Sequence, residues 1–238
     1  MPTEDDDRWG EFFARVPFTY FRSALKQAPY IQAICDYVEK SVAAGSRVRV
    51  AEIACGTGYT AALIADLFRP GIGRGEVVVE ATDVSEELVR AMGRPFRGLD
   101  NLHPRRRDAF DLATEGEYDV IFHQGFLEHF SDEDIKGLVR AQLKSSSYVV
   151  LDVPNHRRAE KVREFGNERF LRPAHWRDLF ESAGARVVEE RGRRLENSWK
   201  RWVPRAVADS PSFLRRFGET SIFVLRPLVE MSAEETLG

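Results

Sequence analysis

The chain has 238 residues, which fits one α/β domain with elaborations, or one domain plus a small cap. Thirty-five basic against thirty-eight acidic side chains give a net charge of −3, without the basic surplus usual in nucleic-acid binders. Two cysteines, Cys35 and Cys55, exclude a disulfide framework and suit a reducing compartment, and no apolar run approaches the ~18 residues of a membrane span.

Residues 1–8 are acidic and polar, unlike a signal peptide, and read as disordered. Residues 9–44 are helical and aromatic, with Trp9, Phe12, Phe13, Phe18, Tyr20 and Phe21 followed by a helical spacing through Ile31, Ile34, Tyr37 and Val38; Gly45 ends the helix. A strand over 47–53 then runs into a turn of small residues and a helix over 59–68. Pro70–Gly75 breaks the chain, a strand spans 77–82, and Ser85 caps the next helix with Glu86 and Glu87 in its first turn. A short strand near 104–107 and a strand over 118–123 follow, then a helix capped by Ser131 that reaches Leu143, and a strand over 147–153. Beyond it lie a basic irregular stretch (156–172), a helix over 173–183 and a strand over 185–190. An Arg- and Trp-rich insertion (193–218) and a last strand over 220–226 complete the pattern, and the final eight residues or so fray. Alternating strands and helices imply a parallel sheet covered on both faces.

Such sheets bind ligands beyond the carboxyl ends of their strands, so chemistry is sought at each strand end. After the first strand stands Glu52-Ile53-Ala54-Cys55-Gly56-Thr57-Gly58, a turn whose small residues let backbone N–H groups and a helix N-terminus approach a ligand. Glu52 puts a carboxylate at the mouth of that turn, which suits a cationic or hydroxyl-bearing ligand better than a pyrophosphate. The second strand ends in Asp83-Val84, where an acid can accept from ribose hydroxyls, and the third in Asp108-Ala109-Phe110. The fourth ends in HQGFLEHF, residues 123–130, and the fifth in Asp152-Val153-Pro154-Asn155-His156.

The segment at 52–58 resembles motif I of the class I S-adenosylmethionine (SAM)-dependent methyltransferases, an acid two residues before G-x-G-x-G, with Ala54 in place of the first glycine. That alanine is tolerable unless the position needs a positive φ. The resemblance implies a Rossmann-like α/β fold whose seven-stranded, mostly parallel sheet ends in an antiparallel last strand. It implies a cofactor site of Glu52, Ala54, Cys55, Gly56 and Gly58 in the turn, Asp83 with Val84 on the ribose, Asp108 with Ala109 on the adenine, and Gln124 beside the sulfonium. SAM is the implied cofactor and S-adenosylhomocysteine (SAH) its product. His129 and His156 are the candidate general bases, with Asn155 and His156 projecting toward the substrate; the alternative for Glu128 and His129 is to fix their loop by hydrogen bonds. A metal held by Asp152 and Asn155 lacks a third acid at a matching strand end, so no metal is expected. The absence of an N-P-P-[YF] run lowers nucleic-acid and glutamine acceptors.

The expected organisation is a helical cap over 1–46, a SAM-binding domain over 47–228 with insertions at 156–172 and 193–218, and a tail over 229–238. The aromatic N-terminal segment and Trp199 with Trp202 of the second insertion are candidate lids, and the Arg157–Arg172 run a candidate for an acidic substrate. A cytoplasmic methyltransferase, monomeric or homodimeric, is expected to act on a small-molecule O, N or C nucleophile without nucleic-acid or membrane partners. A nicotinamide-dependent oxidoreductase shares the glycine turn and the second-strand acid. A non-catalytic or repurposed SAM-fold protein is the other alternative.

Overall fold

Alternation within the strands decides which residues face which layer. In β1 (Arg47–Ile53), Val48 and Val50 pack on one side of the sheet while Ala51 and Ile53 pack on the other. The same split recurs in β4 (Tyr118–Gln124), with Val120 and Phe122 opposite Ile121, and in β5 (Ser146–Pro154), with Val150 opposite Val149, Leu151 and Val153. Strands apolar on both faces must be covered twice. Helices α1 (Tyr20–Ala44), α2 (Tyr59–Leu67) and α3 (Glu86–Met92) cover the first face, and α4 (Asp132–Ser145) and α5 (Pro173–Ser182) the second. The structure is a computed structural model that describes residues 20–44, 47–70, 75–93, 95–114, 118–158, 167–193 and 210–228.

With β2 (Glu76–Asp83), β3 (Leu102–Arg106), β6 (Ala185–Arg193) and β7 (Thr220–Pro227), the sheet has seven strands in the order β3-β2-β1-β4-β5-β7-β6. Strands β1 to β5 are parallel, and β7 runs antiparallel to both β5 and β6. The order reverses between β1 and β4, so the crevice at this switch point opens beside the small-residue turn. This is the expected Rossmann-like arrangement with its antiparallel last strand.

The capped helix starts are as expected: Ser85 accepts from Leu88 N at 3.4 Å and Ser131 from Asp134 N at 3.2 Å. The main differences fall in the last third of the chain. Strand β6 continues to Arg193, past the expected end at 190, because a bulge between Val187 and Glu189 restores its register with β7. The second insertion therefore gives up its first residue to the sheet, and its end forms α6 (Pro211–Phe217), which rests on β6. A Cβ on Gly192 would lie 1.8 Å from Leu214 O, so only glycine permits that approach. The readings of residues 1–19, Gly45, the Trp199–Trp202 lid and the tail over 229–238 fall outside the described residues. Among the described residues no helix is long and apolar enough to cross a membrane.

Candidate functional site

The turn after β1 is held by its own backbone and by two buried acids. Cys55 N donates to Thr82 O at 3.0 Å and Gly58 N to Cys55 O at 2.9 Å. Glu52 Oε2 accepts from Ala61 N at 2.8 Å, at the start of α2, where the helix dipole favours an anion. Glu52 is thus buried under the turn and not at its mouth as expected. Burial pushes its carboxyl up to about 8, with the charge of Asp83 adding to the rise and the Ala61 and Thr60 hydrogen bonds opposing it. Cys55 is buried too, its Sγ 3.9 Å from Met92 Sδ, and burial raises its thiol well above the ordinary range.

Ala54 has a φ of 51°, so the position where alanine replaces the glycine of the resembled motif does need the left-handed region. An alanine there carries ~1–2 kcal/mol of strain, against the ~0.5–1 kcal/mol that glycine's greater freedom costs on folding. Ala54→Gly is expected to be neutral or to stabilise by up to about 1 kcal/mol. A denaturant titration that finds the variant less stable by that amount would contradict the strain.

Asp83, at the end of β2, joins the turn to α3. Its Oδ2 accepts from Gly56 N at 2.8 Å and its Oδ1 from Ser85 N at 3.0 Å. Asp108 is exposed and accepts from Phe110 N at 2.9 Å, opening the 3-10 turn Ala109–Thr114. The large apolar side chains left exposed among the described residues are Leu67, Val84, Phe110, Val188 and Leu228. Two of these five, Val84 at 38% and Phe110 at 48%, stand in the loops after β2 and β3, where a flat apolar ligand would cover them.

At the ends of β4 and β5, Glu128, Asp152 and Asn155 are buried and Gln124 and His129 half-buried. Gln124 Nε2 donates to Asp152 Oδ2 at 2.9 Å, and Arg193 pairs with the same oxygen. Glu128 lies in the short turn Leu127–His129, buried, with Oε2 lacking a hydrogen bond. Burial pushes its carboxyl up to about 8; Asp152 and Glu168 add to the rise, and Arg158 opposes it. His129 Nδ1 is 2.8 Å from Asn167 Oδ1. His156 is exposed, and desolvation with the nearby charges of Arg157 and Arg172 lowers its imidazole below the usual value.

Asn155 does not project toward a substrate. It is buried, donates to Gly218 O at 2.8 Å and accepts from Arg157 N at 3.1 Å, which ties the end of β5 to the loop before β7. Arg169 of the basic run likewise bonds Phe130 O and pairs with Asp132, so it fixes a loop. Among the described residues no group of His, Cys, Asp and Glu is arranged to hold a metal ion. Arg193, which joins Asp152, was missed in the sequence because it lay within the insertion.

Because the Glu128 pKa is raised in the folded state, its contribution to stability is whole below about pH 4.5 and is lost as pH rises toward about 8. Glu128→Gln imitates the protonated form and removes that loss. Its melting temperature is expected to exceed the wild type's by about 3 °C or more at pH 8.5, with the gap closing at pH 4.5. A gap that does not depend on pH would show that Glu128 ionises freely.

Residues 50–145 match the family model described as a methyltransferase domain. They are the part of the chain that resembles a class I SAM-dependent methyltransferase domain. A malonyl-[acyl-carrier protein] O-methyltransferase of Bacillus cytotoxicus is 25% identical over 120 residues, 50% of this chain and 40% of the relative. The chain therefore spans less than half the length of that curated relative. Among solved structures, the magnesium protoporphyrin IX methyltransferase of Synechocystis with bound SAH superposes with a TM-score of 0.58, at 14% identity and 92% coverage of each chain. The [4+2]-cyclase SpnF superposes with a TM-score of 0.55, at 17% identity, covering 83% of this chain and 82% of its own. At these identities the structures speak to fold, and the methyltransferase domain supplies its glycine turn and strand ends β2 to β4.

Proposed function

We propose that the chain binds SAM and transfers its methyl group to an O, N or C nucleophile of a small-molecule acceptor. The observation that carries this reading is the turn at 54–58, pinned between Glu52 and Asp83 at the switch point of a methyltransferase domain. Val84 and Phe110 fit an adenine ring, Asp83 and Asp108 its ribose and amino group, and Gln124 the sulfonium end. Asp83, at the end of β2, puts a carboxylate beside the turn, which suits a cationic ligand. Bound SAM supplies a methyl carbon already activated for attack. The chain's own work is then to bury the reacting groups and hold them in line, for which α1 over the first face of the sheet is placed. His129, oriented by Asn167, is the proposed proton acceptor; His156, with its lowered pKa, is the second candidate.

Calorimetric titration with SAM, SAH and NAD tests the reading. Binding of SAM and SAH without NAD is expected; tight NAD binding without SAM would replace it with an oxidoreductase. His129→Ala is expected to slow turnover ~10²-fold or more while leaving SAM affinity within about twofold. A variant that unfolds instead would assign His129 to the loop. The likeness to a [4+2]-cyclase favours the second reading, a repurposed SAM-fold protein.

A further inference from the structure

The first face of the sheet carries a polar row at its carboxyl edge. Alternation from Val50, Phe122 and Val150, all on that face, puts Glu52, Gln124 and Asp152 on it as well. Gln124 and Asp152 are paired across β4 and β5, and Arg193 reaches the same carboxylate from the end of β6. Tyr30 of α1 roofs this row, its ring edge-on to Phe122 at 6.5 Å between centroids. The charges of Glu52, Asp152 and Arg193 all act on its hydroxyl.

Most of the row is satisfied internally, and two atoms in it are not. Asp152 Oδ2 takes both Gln124 and Arg193, which fixes the plane of the carboxylate, yet Oδ1 has no hydrogen bond although the residue is only 2% exposed. Tyr30 Oη also lacks one, on a side chain with 0% exposure. A buried polar atom left without a partner costs ~1–3 kcal/mol, and such atoms are rare enough to need a reason. The mechanism proposed above uses neither. A carboxylate oxygen can only accept, whereas a phenol can donate or accept.

We infer that Tyr30 and Asp152 form the recognition point for the acceptor's nucleophile, and that this nucleophile is a hydrogen-bond donor, a hydroxyl or an amine. A hydroxyl satisfies both atoms at once, donating to Asp152 Oδ1 and accepting from Tyr30 Oη. An amine donates an N–H to Asp152 Oδ1 and, as the neutral form, keeps a lone pair for the methyl carbon. A carboxylate can do neither at Asp152 and meets its charge. The inference rests on the methyl-transfer reading and names the substrate class of its site.

The test uses the full chain saturated with SAH and three probes of one size, phenol, benzylamine and benzoate, titrated by calorimetry. Phenol and benzylamine are expected to bind, and benzoate at least tenfold more weakly, a discrimination that Asp152→Asn reduces to about twofold. Tyr30→Phe separates a ligand site from a structural contact. Losing an unpartnered hydroxyl should leave SAH binding unchanged and raise the melting temperature by about 2 °C or more, while phenol binds about tenfold more weakly. SAH binding with no phenol or benzylamine binding, or with benzoate equal to them, overturns the inference and spares the methyl-transfer reading. Loss of stability in Tyr30→Phe overturns it too, because it marks the hydroxyl as held by buried water. Failure of wild-type protein to bind SAH overturns the methyl-transfer reading itself.

Discussion

Gly58→Ala is expected to lower stability by about 2–5 kcal/mol and to abolish SAM binding at micromolar concentrations. Gly58 has a φ of 70°, in the left-handed region that costs an L-residue ~1–2 kcal/mol. A Cβ at this position would lie 2.0 Å from Met92 Sδ and 2.9 Å from Met92 Cγ. Met92 is fully buried, so its thioether has little room to retreat, and overpacking of this kind costs ~1–3 kcal/mol. The site is also the cap of α2 and accepts from Ala62 N at 2.9 Å, so any shift of its backbone moves the helix start that faces the ligand. Thermal unfolding with and without SAH measures both effects. Adding Met92→Ala should recover the packing part and leave the backbone strain, so the double variant should melt between the wild type and Gly58→Ala once the cavity cost of Met92→Ala alone is subtracted. A Gly58→Ala protein with native stability and SAH affinity would mean the turn is not held as described.

That turn also shows what the chain's sequence could and could not reveal. Its existence was legible because strand, small residues and helix follow one another within eighteen positions. The sheet was legible for the same reason: Val, Ile and Leu on both faces of β4 and β5 leave no solvent face, which only a doubly covered parallel sheet satisfies. Direction was not legible. Glu52 reads as a carboxylate at a ligand's edge, and it points instead to the amide of Ala61, because the nearest unpaired donors are the first N–H groups of α2. Asn155 reads as a loop side chain facing substrate, and the loop before β7 captures it through Gly218 O. Neither outcome depends on local pattern; each depends on an element reaching back from elsewhere in the chain. Tyr30 and Arg193 lie 122 and 41 residues from Asp152, and only the packing of α1 on the sheet and the pairing of β6 to β5 through β7 bring them to it.

Asp83→Ala is expected to cost SAM affinity at least tenfold and stability about 2–4 kcal/mol, two losses with a single origin. The carboxylate holds the turn through Gly56 N and the start of α3 through Ser85 N. Hydrogen bonds to a charged group contribute ~1.5–3 kcal/mol each, and alanine leaves both donors without their acceptor. The Gly56 amide is buried, so water does not readily replace the carboxylate there. Asp83→Asn tells the two roles apart. Its amide keeps one acceptor oxygen, so it can hold Gly56 or Ser85 but not both, and its NH2 presents a donor to the other N–H. Asparagine should therefore recover about half of the lost stability. If Asp83 also receives the ribose hydroxyls, the neutral side chain should remain at least tenfold weaker for SAM in spite of that recovery, because a charged acceptor has become a neutral one. Affinity that recovers in step with stability would make Asp83 a brace for the glycine turn and would move ribose recognition to another residue.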